Sequence, residues 1–392
     1  MKKSITSLLS TQFIRFINSQ RFSGILLLLT TIVSLFLANS ISAEGYHHFW
    51  SEEIKLNFSE RTIGMSPEHF INEILMSVFF LLVGLEIKRE FINGELAGKE
   101  KASLPIAAAL GGMIFPALIY ISINHGTDTF SGWGIPMATD IAFAIGVLSL
   151  LGKRVPEGLK ILLIALAVVD DLGAVIVIAL FYTKGITLIY LGYAAIVVTL
   201  LIILNRFKVN SLLPYLLLGV VLWLCIYNSG IHSTISGVIL AVCIPYRKTK
   251  SSPLTRLENI LHTPVNFLVM PLFAMANTAI NISGAFGDQL FARESVGIAA
   301  GLIIGKPLGI TLFIWLAIKA GISKLPSNVN FKEIIATGFL GGIGFTMSIF
   351  ISLLAFTNEA NILNAKLMIL ISSFIAGTIG FIMLKKYTDA KT

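Results

Sequence analysis

The feature that most limits how this chain can fold is a succession of apolar segments, each long enough to cross the roughly 30 Å hydrocarbon core of a bilayer. Hydrophobic residues make up 55% of the 392 residues and charged residues only 13%, which leaves too little polar surface to enclose a soluble core. The sequence therefore predicts a single all-α polytopic membrane domain over residues 1–392, with twelve transmembrane helices. The predicted spans lie at about 22–40, 70–86, 102–123, 134–151, 159–182, 186–204, 212–226, 230–245, 261–280, 296–318, 334–356 and 363–384.

The positive charge of the chain follows the predicted topology. The net charge is +8, and most of the 29 Lys and Arg residues fall in the connections on the side that holds both termini. Because such an excess marks the cytoplasmic side, both termini are predicted to be cytoplasmic. We expect a multi-pass protein of the bacterial inner membrane, surrounded by lipid, without a cleaved signal peptide and without a nucleic-acid partner. Cys225 and Cys243 lie inside apolar segments and predict neither a disulfide nor a thiolate metal site.

The longest connection on the opposite, periplasmic side covers about residues 41–69. It contains EIKLNF (Glu53 to Phe58), whose alternation of polar and apolar residues is typical of a β-strand. The sequence leaves two interpretations of this loop open, a short β-hairpin or an irregular polar connection.

Two regions of the chain resemble each other weakly. Ile106 to Leu110 reads IAAAL and Ile298 to Leu302 reads IAAGL, and a proline follows each motif. The predicted topology runs these segments through the membrane in opposite directions, as in the inverted repeats of many secondary transporters. We therefore predict an inverted-topology repeat that relates spans 3–5 (about 102–182) to spans 10–12 (about 296–384). The remaining spans would form an interface part.

The fourth and eleventh predicted spans contain helix-breaking residues near mid-depth. The fourth reads GWGIPMATD (Gly132 to Asp140), and the eleventh reads GFLGGIGFTM (Gly338 to Met347). Gly and Pro at this depth are tolerated where neighbours or a wet cavity satisfy the freed backbone groups. We predict two discontinuous helices that cross near the bilayer midplane. Close helix packing through small residues is the alternative explanation of the glycines.

Two adjacent carboxylates stand in the middle of one apolar span. The stretch Ala165 to Leu180 reads ALAVVDDLGAVIVIAL, which places Asp170 and Asp171 too deep for their short side chains to reach the headgroups. A carboxylate at such a depth costs roughly 2.5–3.5 kcal/mol to insert. Because a hydroxyl or an amide would serve helix packing at lower cost, the pair predicts a functional site.

Two more charged residues lie at comparable depth. Lys306, in IIGKPLGI, is the one cation that the sequence places inside a span, so we expect it to form an ion pair with an aspartate. Asp140 directly follows the break in the fourth span, beside Thr139. If two broken helices face each other, their positive ends need an anion and their negative ends a cation. Asp140 and Lys306 fit these two roles.

The side chains at this depth favour a small hard cation. The carboxylates, the Thr139 hydroxyl and freed backbone carbonyls are oxygen ligands, which suit hard cations and not soft metals. A proton competes with a cation for the same carboxylate oxygens. If the site opens to one side of the membrane at a time, this competition couples cation movement in one direction to proton movement in the other. No resident cofactor is predicted.

These motifs resemble the sodium/proton antiporters of the NhaA type, a family that is itself a known example of inverted repeats with broken helices. The resemblance covers nearly the whole chain, from FFLLVGLEIKRE through ATDIAFAIGVLSLLG, ALAVVDDLGA, SGIHST and IGKPLGI to GGIGFTMSIF. It implies that Asp171 is the primary ligand of the cation and the proton and that Asp170 pairs with Lys306. It also implies that Asp140 and Thr139 support the site.

The same resemblance implies the activity. Na⁺ or Li⁺ would leave the cell in exchange for a larger number of H⁺, so the exchange would be electrogenic. It would serve sodium tolerance and pH homeostasis in alkaline medium. A homodimer is implied as well, with the hairpin candidate in the 41–69 loop as its contact.

A charged cluster at the cytoplasmic mouth switches activity on at alkaline pH in this family. The matching residues here, which the resemblance marks as pH-sensing, are Glu86, Arg89, Glu90, Glu258 and His262. Asn259 replaces a histidine of the family pattern, which bears on the pH set-point. Ordinary cytoplasmic loop chemistry is the alternative explanation of these charges. For His232, in SGIHST, we expect a hydrogen-bonded packing role.

Three other functions are compatible with deep aspartates. A cation channel also uses carboxylates near a wet cavity, but an ion-paired Lys306 and an inverted repeat favour a closed, two-sided site. A proton-coupled or sodium-coupled symporter of a small solute would need a larger polar pocket. An intramembrane aspartyl protease would need its two carboxylates on separate helices, whereas Asp170 and Asp171 are adjacent on one.

Overall fold

The computed structural model describes residues 5–58, 61–183, 185–247, 252–281 and 288–389, and these ranges are almost entirely helical. Before residue 155 the elements are α1 (Ile5–Ala38), α2 (Ala43–Ser51), β1 (Ile54–Phe58), β2 (Arg61–Met65), α3 (Pro67–Phe70), a π-helical turn (Ile71–Leu75), α4 (Met76–Asn93), α5 (Lys99–Asn124), a 3₁₀ segment (Phe130–Met137), α6 (Ile141–Leu150) and a 3₁₀ turn (Gly152–Arg154).

The second part of the chain continues the helical pattern. Its elements are α7 (Glu157–Phe181), α8 (Leu188–Arg206), α9 (Leu213–Ser229), α10 (Ile235–Cys243), α11 (Pro253–Pro264), a π-helical turn (Val265–Val269), α12 (Met270–Asn277), a 3₁₀ segment (Asp288–Phe291), α13 (Arg293–Ala300), a π-helical turn (Gly301–Gly305), α14 (Lys306–Lys319), α15 (Phe331–Gly341), α16 (Phe345–Ala355) and α17 (Glu359–Asp389).

In the described part of the chain, fewer helices are long and apolar enough to cross a bilayer than the twelve predicted. Within the described ranges, eight helices are long and apolar enough to span, or ten if each of two bent pairs is one span. The chain is therefore a polytopic helical membrane protein, as predicted. The predicted span at 230–245 contains only the nine-residue α10. Gly230 ends α9 with a φ of 84°, a left-handed conformation that favours glycine, and a new helix starts only at Ile235.

The alternating segment of the 41–69 loop is a strand. β1 pairs antiparallel with β2, with Leu56 opposite Ile63. Residues 59–60, which join the two strands, lie outside the described residues. The loop also contains α2, which follows α1 after a bend of 114°.

Two spans are interrupted where the sequence contains helix breakers. Residues 138–140 are not helical, and they separate the 3₁₀ segment ending at Met137 from α6. Residues 342–344 separate α15 from α16, whose axes differ by 48°. A capping box fixes the start of α15, because the side chains of Asn330 and Glu333 each accept a hydrogen bond from the other's backbone N–H.

The interrupted spans lie beside a close crossing of α5 and α14. Gly111 and Gly309 meet at this crossing, where a Cβ on either glycine would overlap the backbone of the other. The close approach brings Lys306, the first residue of α14, into the centre of the helix bundle. The buried apolar residues of α8, α9 and α10 belong to a second cluster, whereas most of the buried apolar residues of α7 belong to the main core.

Candidate cation-binding site

The two adjacent aspartates lie on a largely buried helix, α7. α7 has mean hydropathy 2.7 over its apolar window, and 72% of that window is buried. Asp170 is 1% exposed and Asp171 is 2% exposed. Neither carboxylate reaches solvent, so each needs a partner, a bound cation or a proton to be stable in this environment.

Lys306 is the partner of Asp170. Its Nζ lies 3.1 Å from Asp170 Oδ2, and it donates to the Met137 carbonyl at 2.6 Å and to Thr139 Oγ1 at 2.5 Å. An ammonium group has three protons, and these three acceptors use all of them. The side chain is fully buried, and it enters the site directly after the π-helical turn Gly301–Gly305.

Thr139 connects the ion pair to both interrupted spans. Its hydroxyl lies 2.7 Å from Asp170 Oδ2 and 2.9 Å from the Gly341 carbonyl. A hydroxyl carries one proton, so it donates to one of these oxygens at a time while it accepts from Lys306. Backbone carbonyls freed by the two interruptions, those of Met137 and Gly341, thus point at the Asp170–Lys306 pair.

Asp140 has a different set of partners. It is the N-cap of α6, where its side chain accepts from the Phe143 N–H at 2.9 Å. Its Oδ2 accepts from the Thr346 N–H at 3.2 Å and from the Thr346 hydroxyl at 2.5 Å, in the first turn of α16. Asp140 therefore ties the first turns of two helices together.

Asp171 takes part neither in the ion pair of Asp170 with Lys306 nor in the hydrogen bonds of Asp140. Its Oδ1 is buried and has no hydrogen-bond partner. Asp170, Glu86 and Asp140, all of the same sign, act on it electrostatically, and Lys306 is the opposing charge. No group of three His, Cys, Asp or Glu with metal-binding geometry occurs in the described part of the chain. The geometry thus separates Asp140, with its full set of donors, from Asp171, whose oxygen is available to a ligand.

The five residues predicted to sense pH come from two helices that are distant in sequence. Arg89, on α4, lies with Nη1 2.8 Å from Glu90 Oε1 and with Nε 2.8 Å from Glu258 Oε1, on α11. Glu86 interacts electrostatically with these three residues. His262 follows Glu258 by one helical turn on α11. The cluster therefore combines three carboxylates with one guanidinium group.

The structure also contains a polar pocket that was not predicted from the sequence. It has a volume of about 210 Å³, and its lining includes Glu73, His232 and Ser233. Ser233 donates to Glu73 Oε2, and the His232 Nε2 lies 3.9 Å from Glu73 Oε1. The sequence feature that could have predicted this pocket is Glu73, a carboxylate near the start of an apolar helix.

Comparison with known proteins covers almost the whole chain. A sequence model of the family described as Na⁺/H⁺ antiporter 1 matches residues 14–384. The chain is 51% identical over 381 residues to the Na⁺/H⁺ antiporter NhaA of Dechloromonas aromatica, which covers 96% of each protein. It is 52% identical over 374 residues to NhaA of Flavobacterium psychrophilum, covering 95% of each, and 48% identical over 381 residues to NhaA of Pectobacterium atrosepticum, covering 96% of this chain and 97% of that protein.

Proposed function

Because this chain belongs to the Na⁺/H⁺ antiporter 1 family, the NhaA antiporters, we propose that it exports Na⁺ or Li⁺ across the bacterial inner membrane in exchange for H⁺. A family of antiporters performs transport and not covalent catalysis, so the site residues act by binding ions. Asp171 and Asp170 would be the ligands of the transported cation, with Thr139 and Asp140 supporting them.

The observation that carries this proposal is the unpartnered oxygen of Asp171. A buried carboxylate whose Oδ1 accepts no hydrogen bond, and on which three like charges act, is unstable as a free anion. Either a proton or a small cation removes this instability, and both cannot occupy the same oxygen. The carboxylate is therefore a site of mutually exclusive binding, which is what exchange requires.

In this proposal, the Asp170–Lys306 pair provides the second proton that is exchanged for each cation. Asp170 shares its Oδ2 between Lys306 and Thr139, and its Oδ1 is buried without a partner. A cation that engages Asp170 as well as Asp171 competes with the Lys306 ammonium for the carboxylate. Release of a second proton from this pair on cation binding makes the exchange electrogenic.

Access to the site from the two sides of the membrane follows from the interrupted spans. The non-helical residues 138–140 supply the side chains of Thr139 and Asp140, and the carbonyl of Gly341, directly before the break at 342–344, lies within hydrogen-bond distance of the Thr139 hydroxyl. In the proposed architecture of twelve spans, these breaks cross near the midplane, and spans 3–5 and 10–12 form an inverted repeat. A shift of this repeat relative to the other spans opens the site to one side at a time.

Regulation by pH is assigned to the cluster of Glu86, Arg89, Glu90, Glu258 and His262. One guanidinium cannot neutralise three carboxylates, so the cluster carries excess negative charge when all of them are ionised. The resulting repulsion in alkaline medium favours a rearrangement of α4 against α11 that activates exchange. This matches a role in sodium tolerance and alkaline pH homeostasis.

The proposed orientation places both termini in the cytoplasm and the β1–β2 hairpin in the periplasm. The hairpin is two-stranded, so both strands have an unpaired edge that can pair with a second copy. We assign the homodimer contact to this hairpin.

Everted membrane vesicles with an imposed proton gradient test the transport proposal. A pH-sensitive dye is followed as NaCl, LiCl, KCl or choline chloride is added between pH 6.5 and 8.5. Dequenching by Na⁺ and Li⁺ but not by K⁺ or choline is the expected result, with rates that rise with pH. A rate that depends on an imposed membrane potential shows that the exchange is electrogenic, and the potential at which net exchange stops for known ion gradients gives the charge stoichiometry.

Two outcomes contradict the proposal. If no cation dequenches the dye at any pH, the deep aspartates serve another substrate, and a symporter of a small solute becomes the better assignment. If cations pass without any proton movement, the protein is a channel.

A further inference from the structure

The proposed transport moves the inverted repeat, which consists of spans 3–5 and 10–12, against the remaining spans. Contacts that join these two parts must therefore break in every cycle, whereas contacts within one part can persist. Lys306 and Asp170 both belong to the repeat, so their ion pair lies within it. Arg89 and Glu258 both belong to the remaining spans. Neither of these two ion pairs has to break when the parts move.

An ion pair between Lys366 and Glu68 joins the two parts. Lys366 lies on α17, in the repeat, and its Nζ is 3.6 Å from Oε1 of Glu68, which lies on α3. Glu68 comes three residues after Met65, the end of β2. In the proposed orientation the pair therefore lies at the periplasmic end of the molecule, across the boundary that the movement opens.

The burial of Lys366 makes this ion pair sensitive to the position of the repeat. Lys366 is 9% exposed, whereas the side chain of Glu68 is 33% exposed. A buried ammonium group is stable when it is paired or when water reaches it. Glu68 provides the pairing as long as the repeat lies against α3. Movement of the repeat away from α3 must bring water to Lys366, so loss of the pair and opening of the periplasmic side occur together.

Lys366 is fixed to the repeat by the residues around it. Asn364, two positions earlier on α17, donates to Glu294 Oε1 at 3.0 Å. Glu294 lies in the first turn of α13, which is also part of the repeat, and it is almost fully buried. The start of α17 therefore moves with α13, and Lys366 moves with it.

The helix that carries Glu68 is fixed to the remaining spans. On α3, the Nε2 of His69 lies 3.3 Å from the hydroxyl of Tyr227, on α9. In the π-helical turn that follows α3, Asn72 accepts at 2.8 Å from the side-chain amide of Asn277, the last residue of α12. Glu68 therefore stays with the remaining spans when the repeat moves.

An aromatic contact joins the same two parts. The ring of Phe350, on α16, lies with its centroid 5.3 Å from that of Phe80, on α4, and 6.3 Å from that of Phe273, on α12. Apolar contacts of this kind are not directional, so they can be exchanged for others as the surfaces slide. An ion pair between two fixed partners forms in one arrangement of the parts and is lost in the other.

We propose that the Glu68–Lys366 ion pair is a periplasmic ionic lock. It holds the repeat against α3 in the state described here, in which Asp170 and Asp171 are both buried, and it breaks when the site opens to the periplasm. This inference rests on the proposed transport function, because it requires a repeat that moves. The two residues do not bind the transported ion, and they act by setting the balance between the closed and the open state.

The polar pocket provides a reporter for this opening because residues of both parts line it. Leu354 of the repeat lines it together with Glu73 of the remaining spans, and Leu354 is only 8% exposed. In a parent protein with Cys225→Ala and Cys243→Ala, the thiol of Leu354→Cys is reacted with a membrane-impermeant maleimide from the periplasmic side. No sodium gradient is applied. The reaction rate then reports the population of the open state.

Loss of the lock should increase this reaction rate. Glu68→Gln keeps the shape of the side chain and removes its charge, so the rate should rise about fivefold over the parent, the size of effect expected for one partly exposed ion pair. The reversed pair, Glu68→Lys with Lys366→Glu, should return the rate to that of the parent. Glu52→Gln is the control, because its partner His48 lies in the same periplasmic loop, and the rate should not change.

A cross-link tests the same boundary without relying on a change of charge. Glu68→Cys and Lys366→Cys are introduced together, without the reporter cysteine, and joined by a short reagent that a reducing agent cleaves. Exchange in vesicles should stop on cross-linking and return on reduction, because the repeat cannot leave α3 while the link is present. Each single cysteine variant, treated with the same reagent, should continue to exchange.

Three results would overturn the ionic lock. They are a reaction rate in Glu68→Gln equal to that of the parent, an equal increase in Glu52→Gln, and undiminished exchange by the cross-linked protein. Failure of the transport proposal gives a different result. If the parent exchanges no cation but Glu68→Gln still increases the reaction rate, the transport assignment is wrong and the lock is supported.

Discussion

Asp140 and Asp171 are both almost fully buried, and the sequence predicts a comparable depth for both. Their hydrogen-bond partners nevertheless differ. Asp140 accepts hydrogen bonds from Phe143 and from two groups of Thr346. Asp171 has a buried oxygen with no donor. A carboxylate with a full set of donors holds helices together, and one with an oxygen that no donor reaches is available to a ligand. The difference lies in the partners and not in the depth.

The largest expected effect comes from removing the charge of Asp171. Asp171→Asn should reduce Na⁺ and Li⁺ exchange in vesicles to the level of membranes without the protein, because an amide neither takes up a proton nor binds the cation as an anion. The folded protein should remain in the membrane, since Asp171 Oδ1 makes no hydrogen bond that is lost. Exchange at wild-type rates in this variant would contradict the assignment of Asp171 to the cation-binding site.

The second-largest expected effect is a loss of stability when the ion pair between Asp170 and Lys306 is broken. Lys306→Ala removes the cation that faces Asp170 in a fully buried position. Removal of one partner of a buried pair costs about 3–5 kcal/mol. A clearly lower melting temperature in detergent is expected, and a double variant that also carries Asp170→Asn should recover part of the loss. Melting at the wild-type temperature would show that the pair does not form.

The competition at Asp171 predicts a specific pH dependence. A proton stabilises the site in acid, and the cation must displace it, so the Na⁺ concentration for half-maximal exchange should rise as pH falls. For one competing proton the rise approaches about tenfold per pH unit. Initial rates of exchange over a Na⁺ series at several pH values provide this measurement. A half-saturating concentration that does not change with pH would show that the proton and the cation bind at separate sites.

The smallest expected effect distinguishes Asp140, which holds helices together, from Asp171, which is proposed to bind the cation. Thr346→Val removes the hydroxyl that donates to Asp140 and keeps the side-chain volume. Loss of a hydrogen-bond partner of a buried acceptor costs about 1–3 kcal/mol, and Asp140 keeps two backbone donors, so the melting temperature should fall modestly while exchange is retained. Ser352→Ala is the control, because its hydroxyl is equally buried on α16 but bonds to a carbonyl of its own helix. A loss of exchange in Thr346→Val without any loss of stability would place Asp140 in the ion-binding set.

The sequence predicted much of the fold because a bilayer restricts what an apolar segment can do. The helical, polytopic class is confirmed, and a helix lies in each predicted span. The family resemblance is confirmed over residues 14–384. The count of twelve stays a prediction, since α9 and α10 are shorter than a typical span. Hydropathy cannot resolve this because it measures composition along the chain and not where a turn such as the one at Gly230 ends a helix.

The depth of Asp170, Asp171, Asp140 and Lys306 was determined by the sequence alone, because position within an apolar run fixes depth. Their division of roles was decided by the tertiary structure. Which aspartate meets Lys306 depends on the crossing of α5 and α14 at Gly111 and Gly309 and on the interruption that carries Thr139. Hydrogen bonds act over about 3 Å, and those of this site join residues as many as 206 positions apart in the chain. The order of residues therefore specifies which groups are buried, and only the packing of helices specifies which of them are left without a partner.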